Sequence, residues 1–469
     1  DLLHEVGAKV WQILPLNACD YNPYSAFSSF AGNPLLISPE LLLKTQVITR
    51  LPPVPWALRF SSRVNFLKVW DYKKKIFSLI AENTPWDRDS EFSSFCEKHV
   101  DWLDDYALFI ALRAHLAQDD WHFWPSDLVT HHPEIIQQYR HKLEKEILLE
   151  KYLQHLFFKQ WFALKTYAHR KGIKILGDIP IYCNRNGCDI WSHPQYFKLG
   201  ADRRPSFFGG TPPDCFSAQG QVWRNPVFNW EHLHKVNFSW WNKRFEHNLG
   251  FFDFIRLDHF QGLVSYWEIP ATMNDAAKGY LVEVPTAELF TALSASPNDL
   301  PIVVENLGFM PPRVEKIIER YQFPGMHVLL YAFDSDEIHS HSPQKHQENA
   351  LVYTGTHDND TVLGWWKGAD IKNKKRLLNS IKLERISQKQ VPQEMIKLAL
   401  SSKASWAIIP LQDFLSLDSR ARMNHPELYQ KTPGVRPKGV WDWRVSQKSL
   451  KNKDWQKFYF ELIKKNNRG

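Results

Sequence analysis

The sequence of 469 residues predicts a (β/α)8 barrel, on the strength of three observations. Short apolar runs alternate with amphipathic helical stretches over most of the chain, which is typical of parallel α/β folds. Predicted strands begin near residues 9, 173, 251, 301, 326, 351 and 407, so one more strand before Asp1 would complete eight. Several strands end in an acidic residue, as expected at the catalytic rim of a barrel. An open doubly wound sheet is the alternative fold.

The first predicted strand is KVWQILPLN, which follows a helix over residues 1–8 that ends at Gly7. Because the chain opens directly on this helix, we expect that N-terminal residues carrying the first barrel strand are missing. The loop after the strand, NACDYNPYSAFSSFAGNP, keeps several aromatic residues among small polar ones. Such a loop is expected either to line a site or to be pinned to the core by its rings.

Residues 39–150 are predicted to form a mostly helical insertion. In DWLDDYALFIALRAHL the apolar residues Leu103, Tyr106 and Ile110 recur at helical spacing, and the segment lacks strand signals. The predicted domains are therefore a barrel over residues 1–38 and 151–469 and a helical subdomain over residues 39–150.

Strands and helices alternate again after residue 150. A helix ending at Lys171 and Gly172 leads into the strand IKILGDIPIY, which carries Asp178 at its polar end. The connection over residues 183–230 is rich in Gly, Pro and aromatic residues and is predicted to be a long functional loop at the rim. Later strands are expected in FDFIRLDHF, PIVVENLG, FPGMHVLLYAF, LVYTGTHDND and AIIPLQDFLSL.

Composition argues against several classes of function. The chain lacks any stretch of about 18 apolar residues, so we expect no membrane partner. Its net charge of +7 is spread over 58 basic and 51 acidic residues without one basic block, so no nucleic-acid partner is expected. The five cysteines form no CxxC pair, which predicts neither a metal site nor a disulfide framework and fits a cytoplasmic protein. No nucleotide-binding glycine motif occurs, and we expect no cofactor.

Aromatic residues make up 14% of the chain, including 20 Trp. A large core explains many of them. Sugar binding is the second interpretation, because the C–H face of a pyranose packs on an aromatic ring as other apolar groups do.

Three apolar runs end in Asp258, Glu305 and Asp358. Two carboxylates that flank a glycosidic bond suffice for hydrolysis or transfer. Arg256 lies on the same strand face as Asp258, so it is expected to lower the pKa of that carboxyl and keep it ionised, as a nucleophile requires. Glu305 follows an apolar run with no adjacent base, and a raised pKa would suit the general acid/base. Each acid by itself is also compatible with a purely structural role.

Eleven stretches, in this order, resemble the 4-α-glucanotransferase family (amylomaltases or disproportionating enzymes) of the wider α-amylase superfamily. They are WQILPLN, PYSAFSSFAGNPLLIS, DWLDDYALF, GDIPIY, GTPPDCFSAQGQVW, NPVFNW, FIRLDHF, VVENLG, FPGMHVL, THDNDT and QDFLSLDSRARMN. The resemblance implies retaining transfer of α-1,4-glucan segments between maltooligosaccharides or other α-glucans. It implies Asp258 as nucleophile, Glu305 as general acid/base and Asp358 as stabiliser. It further implies that the substrate's donor glucose units are bound by Tyr24, Asp178, Trp223, Arg256 and His357. The stretch around the substrate-binding residues Asp214 and Phe216 resembles the mobile loop that covers the acceptor groove in this family.

The chain departs from the family pattern at four single positions and one segment. Asn22 stands where Ser is usual, Arg185 and Asn186 stand where an acidic pair is common, and Arg224 stands where Gly is usual. The segment 425–440 is longer than the family ending. A hydrolytic α-glucosidase or amylase, and a glucan-binding protein without activity, are the alternatives. The oligomeric state is left open by the sequence.

Overall fold

A computed structural model describes residues 1–83, 86, 89–213, 219–273, 275–308, 310–431 and 437–468 and has a mixed α/β fold. The strands, β1 to β11 in chain order, are Val10–Gln12, Lys174–Ile179, Phe207–Thr211, Gln221–Pro226, Phe254–Leu257, Ser265–Pro270, Tyr280–Glu283, Ile302–Val304, Gly325–Val328, Ala350–Tyr353 and Trp406–Ile408. The α-helices, α1 to α21, are Leu2–Glu5, Pro39–Lys44, Trp56–Arg59, Phe66–Asn83, Ser90–Lys98, Val100–Leu116, Ser126–Val129, Pro133–Lys142, Glu144–Arg170, Cys188–Ser192, Trp230–Lys235, Ser239–Phe251, Thr286–Leu293, Pro312–Tyr321, Val362–Gly368, Ile371–Ser380, Val391–Leu400, Leu411–Phe414, Pro426–Lys431, Gln447–Lys451 and Lys453–Lys465.

Two parallel sheets contain the seven predicted strands. Their strand orders are β1-β2-β5-β8 and β11-β10-β9. The two sheets meet where the backbone N–H of Val304, in β8, donates to the carbonyl of Pro324, just before β9, at 2.9 Å. All seven strands start within three residues of the predicted positions. The strands therefore follow one another in chain order, with helices between most of them.

A third sheet is antiparallel, with strand order β4-β3-β6-β7. It corrects the prediction of a long loop over residues 183–230, because β3 and β4 lie within that segment, and it adds β6 and β7, which are not among the predicted strands. The sequence concealed β3 and β4 because Gly209, Gly210 and Pro226 break the apolar alternation by which strands are recognised. The rim segment is thus anchored by regular hydrogen bonding.

The described part of the segment 39–150 contains helices and no strand. Helix α9 continues through residue 150, so the secondary structure marks no break there. The ring of Phe158, in α9, packs edge-to-face on the ring of Phe251, in α12, with 4.9 Å between centroids. The helical segment and the helices around the strands therefore share one hydrophobic core. Within the described ranges, no helix is both long and apolar enough to cross a membrane.

A second core includes buried residues of β2, β8, β9 and β10, together with buried residues of α15, α16 and α17. Across it, the hydroxyl of Tyr353 in β10 donates to Oε1 of Gln12 in β1, at 2.9 Å. On β2, a β-carbon at Gly177 would lie 2.1 Å from the ring of Phe252. Glycine is therefore required for the close packing of α12's end against the strand that carries Asp178.

Asp413 fixes the ends of the loop that follows β10. Its Oδ2 accepts from the hydroxyl of Thr354 at 2.6 Å, and its Oδ1 accepts from the backbone N–H of Val362 at 2.8 Å. The side chain is buried, and burial raises its pKa to about 6, although both hydrogen bonds oppose the rise. This carboxyl therefore holds together the two ends of the segment between β10 and α15.

We expect Asp413→Ala to cost about 2–4 kcal/mol, because it leaves two buried polar groups without partners. Asp413→Asn should cost less, since the amide oxygen still accepts from Val362 and its N–H can donate to the Thr354 hydroxyl. Because the folded pKa exceeds the unfolded value, Asp413 stabilises most below about pH 4. That contribution is lost as pH rises through about 6. Urea midpoints of wild type and Asp413→Asn between pH 4 and 7 measure it, and a pH-independent difference would contradict the interpretation.

Candidate active site

Arg256 lies at the centre of a cluster of carboxylates at the C-terminal ends of three strands. Its side chain is 4% exposed. Nη1 donates to both oxygens of Asp178, at 2.9 and 2.8 Å, and to Oδ1 of Asp258 at 2.9 Å. Nη2 lies 3.8 Å from Oε2 of Glu305. One guanidinium therefore faces three acids on three neighbouring strands.

Strand register explains why these side chains meet. Asp178 on β2 pairs with Arg256 on β5, and paired residues of parallel strands point to the same face. Asp258 is two residues after Arg256 and returns to that face. The backbone N–H of Asp258 donates to Ile179 at 3.1 Å, and that of Glu305 donates to Leu257 at 3.1 Å. Both acids thus follow directly on the last hydrogen bonds of their strands.

Asp358 lies in the loop after β10, whose ends Asp413 holds. Its Oδ1 accepts from Nδ2 of Asn424 at 2.6 Å, and its carbonyl accepts from the guanidinium of Arg422 at 2.8 Å. The backbone N–H of Asn424 donates to the carbonyl of His357 at 3.1 Å. The segment around residues 422–424 therefore orients the third acid and the histidine beside it.

Aromatic rings border the cluster on the side of Asp178 and Asp358. The hydroxyl of Tyr24 donates to Oδ2 of Asp178 at 2.6 Å, and its ring stacks on His357 with 4.9 Å between centroids. Trp441 lies 5.6 Å from both of these rings. Together these rings form an apolar face beside polar groups, as a sugar ring with its hydroxyls requires.

Trp223 borders the Glu305 side. Its ring meets that of His259 edge-on, with 4.7 Å between centroids, and it also contacts Tyr182. The backbone N–H of His259 donates to Oε2 of Glu305. The indole, the imidazole and the acid therefore form one connected group.

Burial raises the pKa of Glu305 to about 7, against the influence of Arg256. Burial likewise raises the pKa of Asp258 to about 6, again opposed by Arg256. The expected lowering of the pKa of Asp258 is thus wrong in direction, because desolvation outweighs the ion pair. The two side chains remain 26% and 15% exposed to the cleft, for Asp258 and Glu305 respectively. Since Asp258 accepts directly from Arg256, Glu305 is the acid of the pair that keeps its proton to higher pH.

Eight of the ten predicted site residues are described and converge here: Tyr24, Asp178, Trp223, Arg256, Asp258, Glu305, His357 and Asp358. Asp214 and Phe216 lie outside the described residues. The sequence analysis missed Arg422, Asn424, Trp441 and His259 as contacts. The stretch QDFLSLDSRARMN contains Arg422 and Asn424, and FIRLDHF contains His259, so these two stretches were the available signal.

Asn22 and Arg185, two of the departures from the family pattern, make contacts that bear on the site. Oδ1 of Asn22 accepts from the backbone N–H of Tyr24 at 3.0 Å, which helps to orient that ring. Arg185 pairs with Asp120 of the helical segment at 2.9 Å and so ties the rim segment to it. Within the part of the chain that the structure describes, no group of three or more His, Cys, Asp or Glu residues is placed to hold a metal ion.

Comparison with known proteins shows the family of this chain. A family model described as 4-alpha-glucanotransferase matches residues 1–449. The 4-alpha-glucanotransferase of Aquifex aeolicus is 37% identical over 461 residues, which cover 97% of this chain and 92% of that protein. That of Thermus thermophilus is 36% identical over 94% of this chain and 88% of its own.

Among solved structures, the amylomaltase from Streptococcus agalactiae in complex with acarbose matches with a TM-score of 0.91 and 31% identity, covering 100% of this chain and 94% of that one. The family match over nearly the whole chain, together with relatives above 30% identity, decides the assignment. The chain belongs to the 4-alpha-glucanotransferase family and is an enzyme that transfers α-1,4-glucan segments.

Proposed function

We propose that this enzyme transfers glucan segments with retention of configuration, using Asp258 as nucleophile and Glu305 as general acid/base. The observation that carries the proposal is the guanidinium of Arg256, which contacts Asp258 and lies 3.8 Å from Glu305. It brings two carboxyls with different proton affinities to one cleft, as glycosyl transfer through a covalent intermediate requires.

In the first step a carboxylate oxygen of Asp258 attacks the anomeric carbon of the donor glucan. The bond from that carbon to the glycosidic oxygen breaks, and Glu305 gives its proton to the departing oxygen. In the second step Glu305 removes the proton of a 4-hydroxyl on the acceptor glucan. That oxygen attacks the same carbon and releases Asp258, so the configuration is inverted twice and retained overall.

Asp358 stabilises the positive charge that develops on the sugar ring in the transition state of each step. Asn424 fixes its orientation by the 2.6 Å hydrogen bond, so the stabilising group costs little reorganisation during reaction. Tyr24, Asp178 and His357 bind hydroxyls of the donor glucose unit, and Arg256 holds the acids in place. Trp223 supplies a stacking face. Asp214 and Phe216 remain predicted contacts to substrate.

We further propose that the seven strands belong to a (β/α)8 barrel over residues 1–38 and 151–469, with residues 39–150 as a helical subdomain. The consecutive strand order supports closure, as does the edge-on contact of Phe254 in β5 with Trp406 in β11, 4.7 Å between centroids. The eighth strand would lie between β11 and β1. The fold likeness to the Streptococcus agalactiae amylomaltase supports the same architecture.

Maltooligosaccharides and larger α-glucans are the proposed substrates. The complex of the Streptococcus agalactiae protein with acarbose supports a site of this kind. A cytoplasmic location is also proposed, because the described cysteines Cys19, Cys96, Cys183 and Cys188 are all free thiols.

Incubation with maltotriose tests the proposed reaction. We expect glucose together with a ladder of longer maltodextrins, resolved by chromatography, because the glycosyl-enzyme is captured by a second sugar. Asp258→Asn should lower the rate by about three or more orders of magnitude, since it removes the nucleophile but keeps the side-chain shape. Glucose and maltose as sole products, or near-wild-type turnover of the variant, would reject the mechanism.

The pH dependence of kcat/KM should be bell-shaped. Activity should rise as pH passes about 6, because Asp258 must ionise to attack, and fall above about 7, because Glu305 loses the proton it donates. The two apparent values belong to the coupled pair.

The variant Glu305→Gln tests whether Glu305 causes the fall of kcat/KM on the alkaline side. Its residual activity should be measured on α-maltosyl fluoride, whose leaving group needs no proton, and the fall above about pH 7 should disappear. If that fall persists unchanged in Glu305→Gln, another group is responsible for it.

Loss of the hydrogen bond to Asp358 should be visible in turnover. Asn424→Ala is expected to lower kcat by about tenfold or more, the size of one hydrogen bond to a charged group. Asn424→Asp should lower kcat further at neutral pH, because the carboxylates at positions 424 and 358 repel each other there. Part of the kcat should return as pH falls and one of them is protonated. Asn349→Ala is the matched control, because Asn349 precedes β10 and donates a single hydrogen bond to the carbonyl of Gln322. Equal losses in Asn424→Ala and Asn349→Ala would argue against a role for Asn424 at the site.

A further inference from the structure

Helix α3 carries two aromatic side chains at the surface of the helical segment. Trp56 and Phe60 are 77% and 71% exposed, and among the tryptophans that the structure describes none is more exposed than Trp56. The two residues are four apart and share one face of the helix. Their ring centroids are 5.6 Å apart, with 49° between the ring planes. Because tryptophan is buried in most proteins, adjoining exposed rings of this kind are typical of a binding surface.

Hydrogen bonds tie the chain at and just after α3 to residues 439–444. The backbone N–H of Arg444 donates to the carbonyl of Ser62 at 2.9 Å, and the backbone N–H of Val64 donates to the carbonyl of Asp442 at 2.6 Å. The guanidinium of Arg444 also donates to the carbonyl of Leu58, which lies between the two aromatic residues in sequence, at 2.5 Å. The rings are therefore carried by an anchored helical turn.

The same segment, residues 439–444, contains Trp441. The ring of Trp441 lies 5.6 Å from the rings of Tyr24 and His357, on the donor side of the cleft. Its backbone N–H donates to the carbonyl of Met423 at 2.7 Å. Three residues separate Trp441 from Arg444, a span of at most about 11 Å between their Cα atoms. Residues 439–444 therefore connect the exposed rings of α3 to the aromatic border of the active site.

A glucan chain has the chemistry that this surface fits. The enzyme acts on a polymer, so the part of a long donor chain that lies outside the cleft must run over the protein surface or through solvent. Glucan is uncharged and needs no opposite charge beside the rings. The C–H face of a glucose unit packs on an aromatic ring while its hydroxyls stay in water. Successive units of a curved α-1,4-linked chain present their faces at an angle to one another, as Trp56 and Phe60 do.

We propose that Trp56 and Phe60 form a glucan-binding site outside the cleft, which holds a distant part of a long donor chain. The inference rests on the proposed α-glucan substrates and adds a second point of attachment for them. A chain held at both places binds more tightly than either contact alone would allow, because the second contact forms within one complex. An oligosaccharide too short to reach both places gains nothing.

Native electrophoresis through gels that contain soluble starch tests this site, with every variant made in the Asp258→Asn background so that the starch is not consumed. Retardation at increasing starch concentration gives a Kd. We expect Trp56→Ala combined with Phe60→Ala to raise this Kd about tenfold. Trp56→Phe should bind nearly as well as the parent, since it keeps an aromatic face. Phe123→Ala is the matched control and should match the parent, because Phe123 is a 64% exposed ring of the helical segment that already has the guanidinium of Arg204 over it.

Transfer from maltotriose, measured with an active Asp258, is the second readout. The Trp56→Ala, Phe60→Ala enzyme should keep kcat/KM for maltotriose within about twofold of wild type, because so short a donor cannot span the cleft and the outer rings. Both substitutions are at the surface, so thermal unfolding should stay within about 2 °C of wild type.

An unchanged Kd for starch in the double variant would overturn the inference. An equal loss of starch binding in Phe123→Ala would also overturn it, since the position of the rings would then not matter. If the wild type forms dimers that the double substitution dissociates while retardation by starch persists, the rings serve self-association instead. Wild-type enzyme that is retarded through these rings but makes no ladder from maltotriose would reject the transfer mechanism and support the outer site.

Discussion

The buried guanidinium of Arg256 is the interaction on which the rest of the site depends. A charged group removed from water is costly unless it is paired and hydrogen-bonded, and here Asp178 and Asp258 satisfy that need through a single nitrogen. The planar fork also brings its second nitrogen toward Glu305. Burial makes the ion pairs of Arg256 costly to form. The same burial raises the pKa values of Asp258 and Glu305 to about 6 and 7. The cost of folding this cluster and its chemical usefulness therefore have one physical origin.

The surrounding structure holds this cluster in a single geometry. Strand register determines the positions of Asp178, Arg256, Asp258 and Glu305, which lie on or directly after parallel strands. The third acid is held differently, because the loop after β10 is fixed at both ends by Asp413 and at its middle by Asn424. Rigid support of this kind keeps charged groups oriented before the reaction begins, which is how a site stabilises a transition state without reorganising.

Much of the fold and most of the site could be predicted from local sequence, for physical reasons. Apolar runs that end in Asp258 and Glu305 mark strands and their carboxyl ends, because alternation and burial leave a local signature. The antiparallel sheet was concealed because its strands, with Gly209, Gly210 and a bulge, carry no such period. The contact of Asn424 with Asp358 spans 66 residues, so nothing in either local pattern records it. The direction in which the pKa of Asp258 shifts depends on whether burial outweighs the ion pair with Arg256. That balance is set by the folded surroundings and cannot be read from the local sequence.

The hydrogen bonds that hold Asp358 have a consequence for biosynthesis. Arg422 and Asn424 follow Asp358 by 64 and 66 residues, so they are translated later than all three acids. A nascent polypeptide that has emerged only as far as β10 can pair β2 with β5 and bring Arg256 to its carboxylates. Its third acid is still unsupported, because the side chains that orient it are not yet made. Competence for sugar transfer is therefore acquired only after residues 422–424 have been made, later than the strands that carry the other two acids.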